Sequence, residues 1–68
     1  MSQSCILQVE DDANDVFLLQ RAFTQAGIGT PIQVATDGQM AIDYLEGKAL
    51  YADRRKFPFP SLVLLRSF

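Results

Sequence analysis

Cys5-Ile6-Leu7-Gln8-Val9-Glu10-Asp11-Asp12 is the stretch on which the reading of this chain turns. Its first five residues are mostly apolar and bounded by polar ones, the pattern of a short buried strand. Its last three are acids in a row, which repel one another. They stand where the strand pattern stops and a helical pattern begins, at the carboxyl end of the strand. In open α/β sheets that edge is where ligands bind. Crowded carboxylates are relieved by a hard cation between them, and Mg²⁺ takes oxygen ligands of this kind. The simpler reading is that Asp12 caps a helix while Glu10 and Asp11 are solvated loop acids. The stretch by itself leaves both readings open.

Working outward, the chain alternates strand and helix. Asp12 offers a helix N-cap, and Asp15 places an acid in the first turn, where it suits the helix dipole. Val16, Leu19, Phe23 and Ala26 recur at helical spacing and define a buried face, widened by Phe17, Leu18 and Ala22. Gly27 stops the helix, and Gly29 and Pro31 continue the break. A second strand is expected over Ile32–Thr36. Asp37-Gly38 then opens a second helix with Ala41, Ile42 and Leu45 as its buried face and Gly47 as its end. From Lys48 to Pro60 runs a charged, aromatic connection in which Pro58 and Pro60 exclude a helix. Its mixture of Arg54, Arg55, Lys56 and aromatics admits RNA binding, but a surface loop whose aromatics pack back on the domain is favoured. Leu62-Val63-Leu64-Leu65 is apolar throughout, as strands buried on both faces are. Strand, helix, strand, helix, strand makes two successive βαβ units and a parallel sheet.

Composition narrows the function. Sixty-eight residues make at most one small domain, with an ordinary globular share of apolar residues, 49%. The net charge of −2 and a single short basic cluster argue against a nucleic-acid footprint. The chain contains no histidine, which excludes histidine-based catalysis and most zinc sites. The single cysteine, Cys5, falls in the first apolar run and reads as a buried structural thiol, in keeping with a reducing cytoplasm. No run approaches the ~20 apolar residues of a membrane span. A nucleotide-using enzyme is disfavoured, because no phosphate-cradling glycine loop and no catalytic cysteine constellation is present.

The chain resembles the receiver domain of two-component response regulators. The resemblance rests on Ile6-Leu7-Gln8-Val9-Glu10-Asp11-Asp12, Asn14-Asp15-Val16-Phe17-Leu18-Leu19, Asp37-Gly38-Gln39-Met40-Ala41-Ile42-Asp43-Tyr44-Leu45 and Leu62-Val63-Leu64-Leu65. The loop Tyr51-Ala52-Asp53-Arg54 with Phe57-Pro58-Phe59-Pro60 makes it similar to the stand-alone receivers that accompany phytochrome-type histidine kinases. The resemblance implies an α/β, flavodoxin-like (CheY-like) doubly wound parallel sheet, here truncated to β-α-β-α-β, with residues 1–68 a partial receiver domain. It implies transfer of a phosphoryl group from a sensor histidine kinase to an aspartate. It also implies Mg²⁺ held by an acidic pocket to which Glu10 and Asp11 correspond, so no enzyme is expected.

The departures define what is expected of this chain. The family pattern after Leu64-Leu65 calls for the phosphoacceptor aspartate, and this sequence has Arg66, followed by Ser67 and Phe68. Arginine accepts no phosphoryl group, and its charge opposes Mg²⁺ binding. The chain is about the first half of such a domain, and a one-base insertion in codons for Asp-Leu would produce Arg-Ser at this point. The expected function is thus a truncated receiver unable to be phosphorylated. The alternative is a pseudo-receiver that docks to a histidine kinase or another receiver without chemistry. With the third strand left at the edge, a marginal chain prone to self-association is expected. Arg66 either reaches Glu10 and Asp11 in place of Mg²⁺ or lies in water at a frayed end.

Overall fold

The computed structural model describes residues 4–65. The elements run β1 (Cys5–Val9), α1 (Ala13–Gln25), β2 (Ile32–Ala35), α2 (Gly38–Glu46), a 3₁₀ turn (Ala49–Ala52) and β3 (Pro60–Leu65). The three strands form one parallel sheet in the order β2-β1-β3. The first crossover moves one way across the sheet and the second moves back past β1. Right-handed crossovers therefore put α1 and α2 on opposite faces.

Each boundary has a local cause. The Asp12 carboxylate accepts the Asn14 N–H at 2.8 Å and starts α1. The Asp37 carboxylate accepts the Met40 N–H at 2.8 Å and starts α2. Gly27 and Gly47 sit at φ +74° and +70°, just past the helix ends. An L-residue in that region costs roughly 1–2 kcal/mol. At Gly47 there is a second cost: a Cβ would meet Arg54 Nη2 at 3.0 Å, whereas at Gly27 nothing lies within 4 Å. Gly47→Ala is therefore expected to destabilise the chain by about 1–2 kcal/mol plus the displacement of Arg54, and Gly27→Ala by the backbone part alone. Urea melts of the two variants check the order; equal midpoints would show that Arg54 does not press on Gly47.

The core lies between β1 and α2. Cys5 and Leu7 are fully buried and join Ala35, Ala41 and Tyr44, with Val9, Met40, Leu45, Tyr51 and Phe57 packed around them. Alternation along β1 sends Cys5, Leu7 and Val9 to the α2 face and Ile6 and Gln8 to the α1 face. Cys5 Sγ lies 3.3 Å from Tyr44 Oη and 3.2 Å from the Pro58 carbonyl oxygen. The Tyr44 hydroxyl donates to the same carbonyl at 2.8 Å. Cys5 is thus a buried structural thiol, as its place in the apolar run implied.

Of three expectations about burial, one holds and two are corrected. The all-apolar run Leu62 to Leu65 has the pattern of a strand buried on both faces, but left at the edge it was expected to lack part of its cover, and Leu62, Val63 and Leu65 are exposed while Leu64 is half-buried. The strand is parallel and apolar, but it lies at the edge of the sheet, outside the cover of α2. In α1 no residue is buried. Val16, Leu19 and Phe23 are half-buried, while Phe17, Leu18, Ala22 and Ala26 are exposed. A helix over a sheet only three strands wide has support along a narrow stripe. In α2 the buried residues are Ala41 and Tyr44, and Ile42 is 50% exposed. The face runs Ala41, Tyr44, Leu45 at i, i+3, i+4, and a tyrosine joins it because Pro58 accepts its hydroxyl proton.

The connection from Lys48 to Phe59 does pack back on the domain. Tyr51 and Phe57 stack edge-on, with centroids 5.2 Å apart, and both meet Tyr44, at 5.0 and 6.2 Å. Arg54, read from sequence as part of a basic cluster, donates to the carbonyls of Leu45 at 3.1 Å and Phe57 at 3.2 Å. Its guanidinium also lies over the rings of Tyr44 and Phe59. Arg54 thereby satisfies a carbonyl at the end of α2, where a cation is favourable. The 3₁₀ turn was not expected; it precedes Pro58, so neither proline obstructs it.

Candidate functional site at the carboxyl edge of the sheet

The three consecutive acids perform three different tasks. Glu10 continues β1 by one residue: its N–H donates to the Ala35 carbonyl at 2.9 Å, and only 8% of its surface is exposed. Glu10 Oε2 accepts the Asp12 N–H at 3.2 Å, so this carboxylate braces its own loop. Asp11 is exposed. Asp12 is the N-cap of α1. The simpler reading thus holds for Asp12 and fails for Glu10, which is buried.

Glu10 and Asp11 lie together at the carboxyl end of β1. They line a cleft of about 450 Å³ that also takes in Thr36 and Asp37 from the start of α2 and Leu65 from the end of β3. Strand register explains the gathering. Val9 is the partner of Ala35 on one side and of Leu65 on the other, so all three strands end at one level. Thr36 and Asp37 escaped the sequence reading because their nearness to Glu10 depends on that register; the Asp after β2 was legible only as a helix cap.

Among the described residues no group of three or more His, Cys, Asp or Glu side chains is assembled that could hold a metal ion. Asp37 spends its carboxylate on Met40, and Glu10 spends one oxygen on Asp12. Mg²⁺ demands near-octahedral oxygen coordination. The described donor set does not by itself fit that demand. Arg66, whose reach toward Glu10 and Asp11 was weighed above, lies outside the described residues.

A second polar feature was missed at the sequence level. Gln8 is 6% exposed on the α1 face of the central strand, and its Oε1 has no hydrogen-bond partner among the described residues. It contributes to a groove of about 430 Å³ between α1 and β3, with Leu18, Leu19, Leu64 and Leu65. The signal was a lone amide inside an apolar run. No helix among the described residues is long and apolar enough to cross a membrane.

A parallel sheet ordered β2-β1-β3, with its acids at the carboxyl edge, is the opening part of a doubly wound, flavodoxin-like fold. The particular version is the receiver fold of response regulators. The crystal structure of a response regulator in red light signalling of R. palustris superposes with a TM-score of 0.86 at 34% identity, covering 91% of this chain. The chain spans 43% of the length of that protein. No family model matches the sequence, and no curated protein does. The resemblance carried by the acidic stretch, the two capped helices and the apolar third strand is thereby matched in three dimensions over β-α-β-α-β.

Proposed function

We propose that this chain is a receiver-type module of a two-component signalling system that does not accept a phosphoryl group. The observation that carries the reading is the superposition on a response regulator together with the residue that follows β3. Leu65 is the last described residue of β3 and the register partner of Val9, and position 66 is the next in the sequence. In the family pattern that position is the phosphoacceptor aspartate, and here it is Arg66. Carboxylate oxygen is the nucleophile in such a transfer; a guanidinium, always protonated, is not one. Weak Mg²⁺ binding belongs to the same proposal, since Glu10 and Asp11 would hold the ion without a third acid.

The partner proposed is a cytoplasmic sensor histidine kinase, and the red light role of the similar structure favours a phytochrome-type one. The module would act by docking to the kinase or to a complete receiver. The exposed apolar residues of α1 and β3 support docking as the second reading. Incubation with acetyl phosphate and Mg²⁺, followed by intact-mass measurement, tests the first. No phosphoryl adduct is expected. An adduct that hydroxylamine removes, the signature of an acyl phosphate, would overturn the reading. Titration of Mg²⁺ into the chain and into Arg66→Asp is expected to show tighter binding by the variant; equal affinities would mean that Arg66 does not oppose the ion.

A further inference from the structure

The connection between α2 and β3 is bonded within itself. The N–H groups of Lys56 and Phe57 donate to the Asp53 carbonyl at 3.1 and 2.8 Å, and that of Arg55 to the Asp53 carboxylate at 3.1 Å. Side chains latch it to the domain at two points. Arg54 Nη2 donates to the Leu45 carbonyl at 3.1 Å, with the guanidinium over the Tyr44 ring. The Tyr44 hydroxyl and the Cys5 thiol converge on the Pro58 carbonyl, at 2.8 and 3.2 Å. Each end of the connection breaks the regular backbone. Ala49 is held at φ +52°, a left-handed conformation that a residue with a Cβ keeps only where its surroundings impose it. At the other end Cys5 pairs with Pro60 and Ile6 with Leu62, so Ser61 is an extra residue, a bulge in the ladder.

We infer that residues 50–60 are a strap that opens as one unit, hinged at Ala49 and Ser61, and that its opening bares the Cys5 thiol while the rest of the domain stays folded. Cys5 is 0% exposed, and Pro58 closes over its sulfur. Segments bonded within themselves and joined to the remainder mainly by side chains are the units that open short of global unfolding. Once the latches release, Ala49 returns to ordinary backbone, so its strain favours opening. The rings of Tyr51 and Phe57 must leave Tyr44 as the strap lifts, which keeps the open state a minority. The ladder between β1 and β2 and the packing of α1 are untouched by the movement. Hinges and latches all lie among the described residues at the amino edge of the sheet, and none lies past β3. Glu10 and Asp11 stand at the opposite edge, so the strap is independent of the receiver reading.

Cys5 is the single cysteine, and its labelling by dithiobis(nitrobenzoic acid) reads the open state. At low urea the labelling rate of the 68-residue chain is expected to rise with a slope below about a third of that of global unfolding followed by circular dichroism, because a strap exposes far less surface than the whole chain. Leu19→Ala, on α1, is expected to lower the urea midpoint yet change that rate by less than ~2-fold, since its contacts survive the opening. Arg54→Met keeps the apolar stem, removes the donors, and is expected to raise the rate at least ~10-fold, the loss of a charged hydrogen bond. Should Arg54→Met fail to fold, the first two measurements still decide. A slope equal to that of global unfolding, a rate that rises in Leu19→Ala in step with the lost stability, or an unchanged rate in folded Arg54→Met would each overturn the inference.

Discussion

Leu7→Ala is expected to remove a large share of the chain's stability. Leu7 is fully exposed nowhere along its side chain: its accessible surface is 0%, and it sits on the central strand against Cys5, Ala35, Ala41 and Tyr44. Truncating such a leucine costs about 2–5 kcal/mol, the lost transfer energy plus the cavity left behind. A domain has about 0.05–0.15 kcal/mol of stability per residue, so a chain this short has roughly 3–10 kcal/mol in all. Thermal melts at one fixed protein concentration check this. A fall in Tm of at least ~10 °C, or no cooperative transition, is expected. Leu18→Ala, at a position 58% exposed on α1, is the control and should move Tm by only a few degrees, about what a surface change does. Equal effects from the two would place the core elsewhere than between β1 and α2.

Tyr44 is the second position of large effect, and it makes stability depend on pH. Burial pushes the phenol above its ordinary value near 10, helped by the hydrogen bond to Cys5; Arg54 pulls the other way. The folded chain therefore holds the Tyr44 proton at a pH where the unfolded chain releases it. The stability this contributes is complete below pH 10 and declines as pH rises above it. Tyr44→Phe is expected to flatten that alkaline decline. It also removes the donor to Pro58, at a cost of about 1 kcal/mol at neutral pH. Tyr44→Ala should cost about 3–5 kcal/mol, because the ring is the hub that Tyr51, Phe57 and Arg54 meet. Chemical denaturation between pH 7 and 11 measures both. An unchanged alkaline slope in Tyr44→Phe would show that another group sets it.

What could be read from the sequence is what is decided locally. Asp12, Asp37 and Gly47 mark helix ends through contacts within a few residues, so their types announce their roles. The parallel sheet followed from the succession of elements, and its flavodoxin-like form from the family resemblance. What escaped depends on partners far along the chain. Tyr44 is buried because Pro58, 14 positions away, accepts its proton. Arg54 looked like surface charge and is a cap, because Leu45 and Phe57 present carbonyls to it. Glu10 and Asp11 do lie together at the carboxyl end of β1. The inward turn of Glu10 and the approach of Thr36 and Asp37 depend on sheet register, which composition does not encode.

The central place of β1 has a consequence for synthesis. Of the three described strands β1 is made first and completed last, because its two edges wait for later segments. β2 can reach it once the first helix is made, but the bond from Ser61 Oγ to the Cys5 carbonyl closes across 56 positions. At about 5–20 residues per second that interval lasts roughly 3–11 s, during which Cys5–Val9 has one open edge. The acids that follow, Glu10 and Asp11, stand where charges flanking an apolar strand oppose its aggregation while the edge is open.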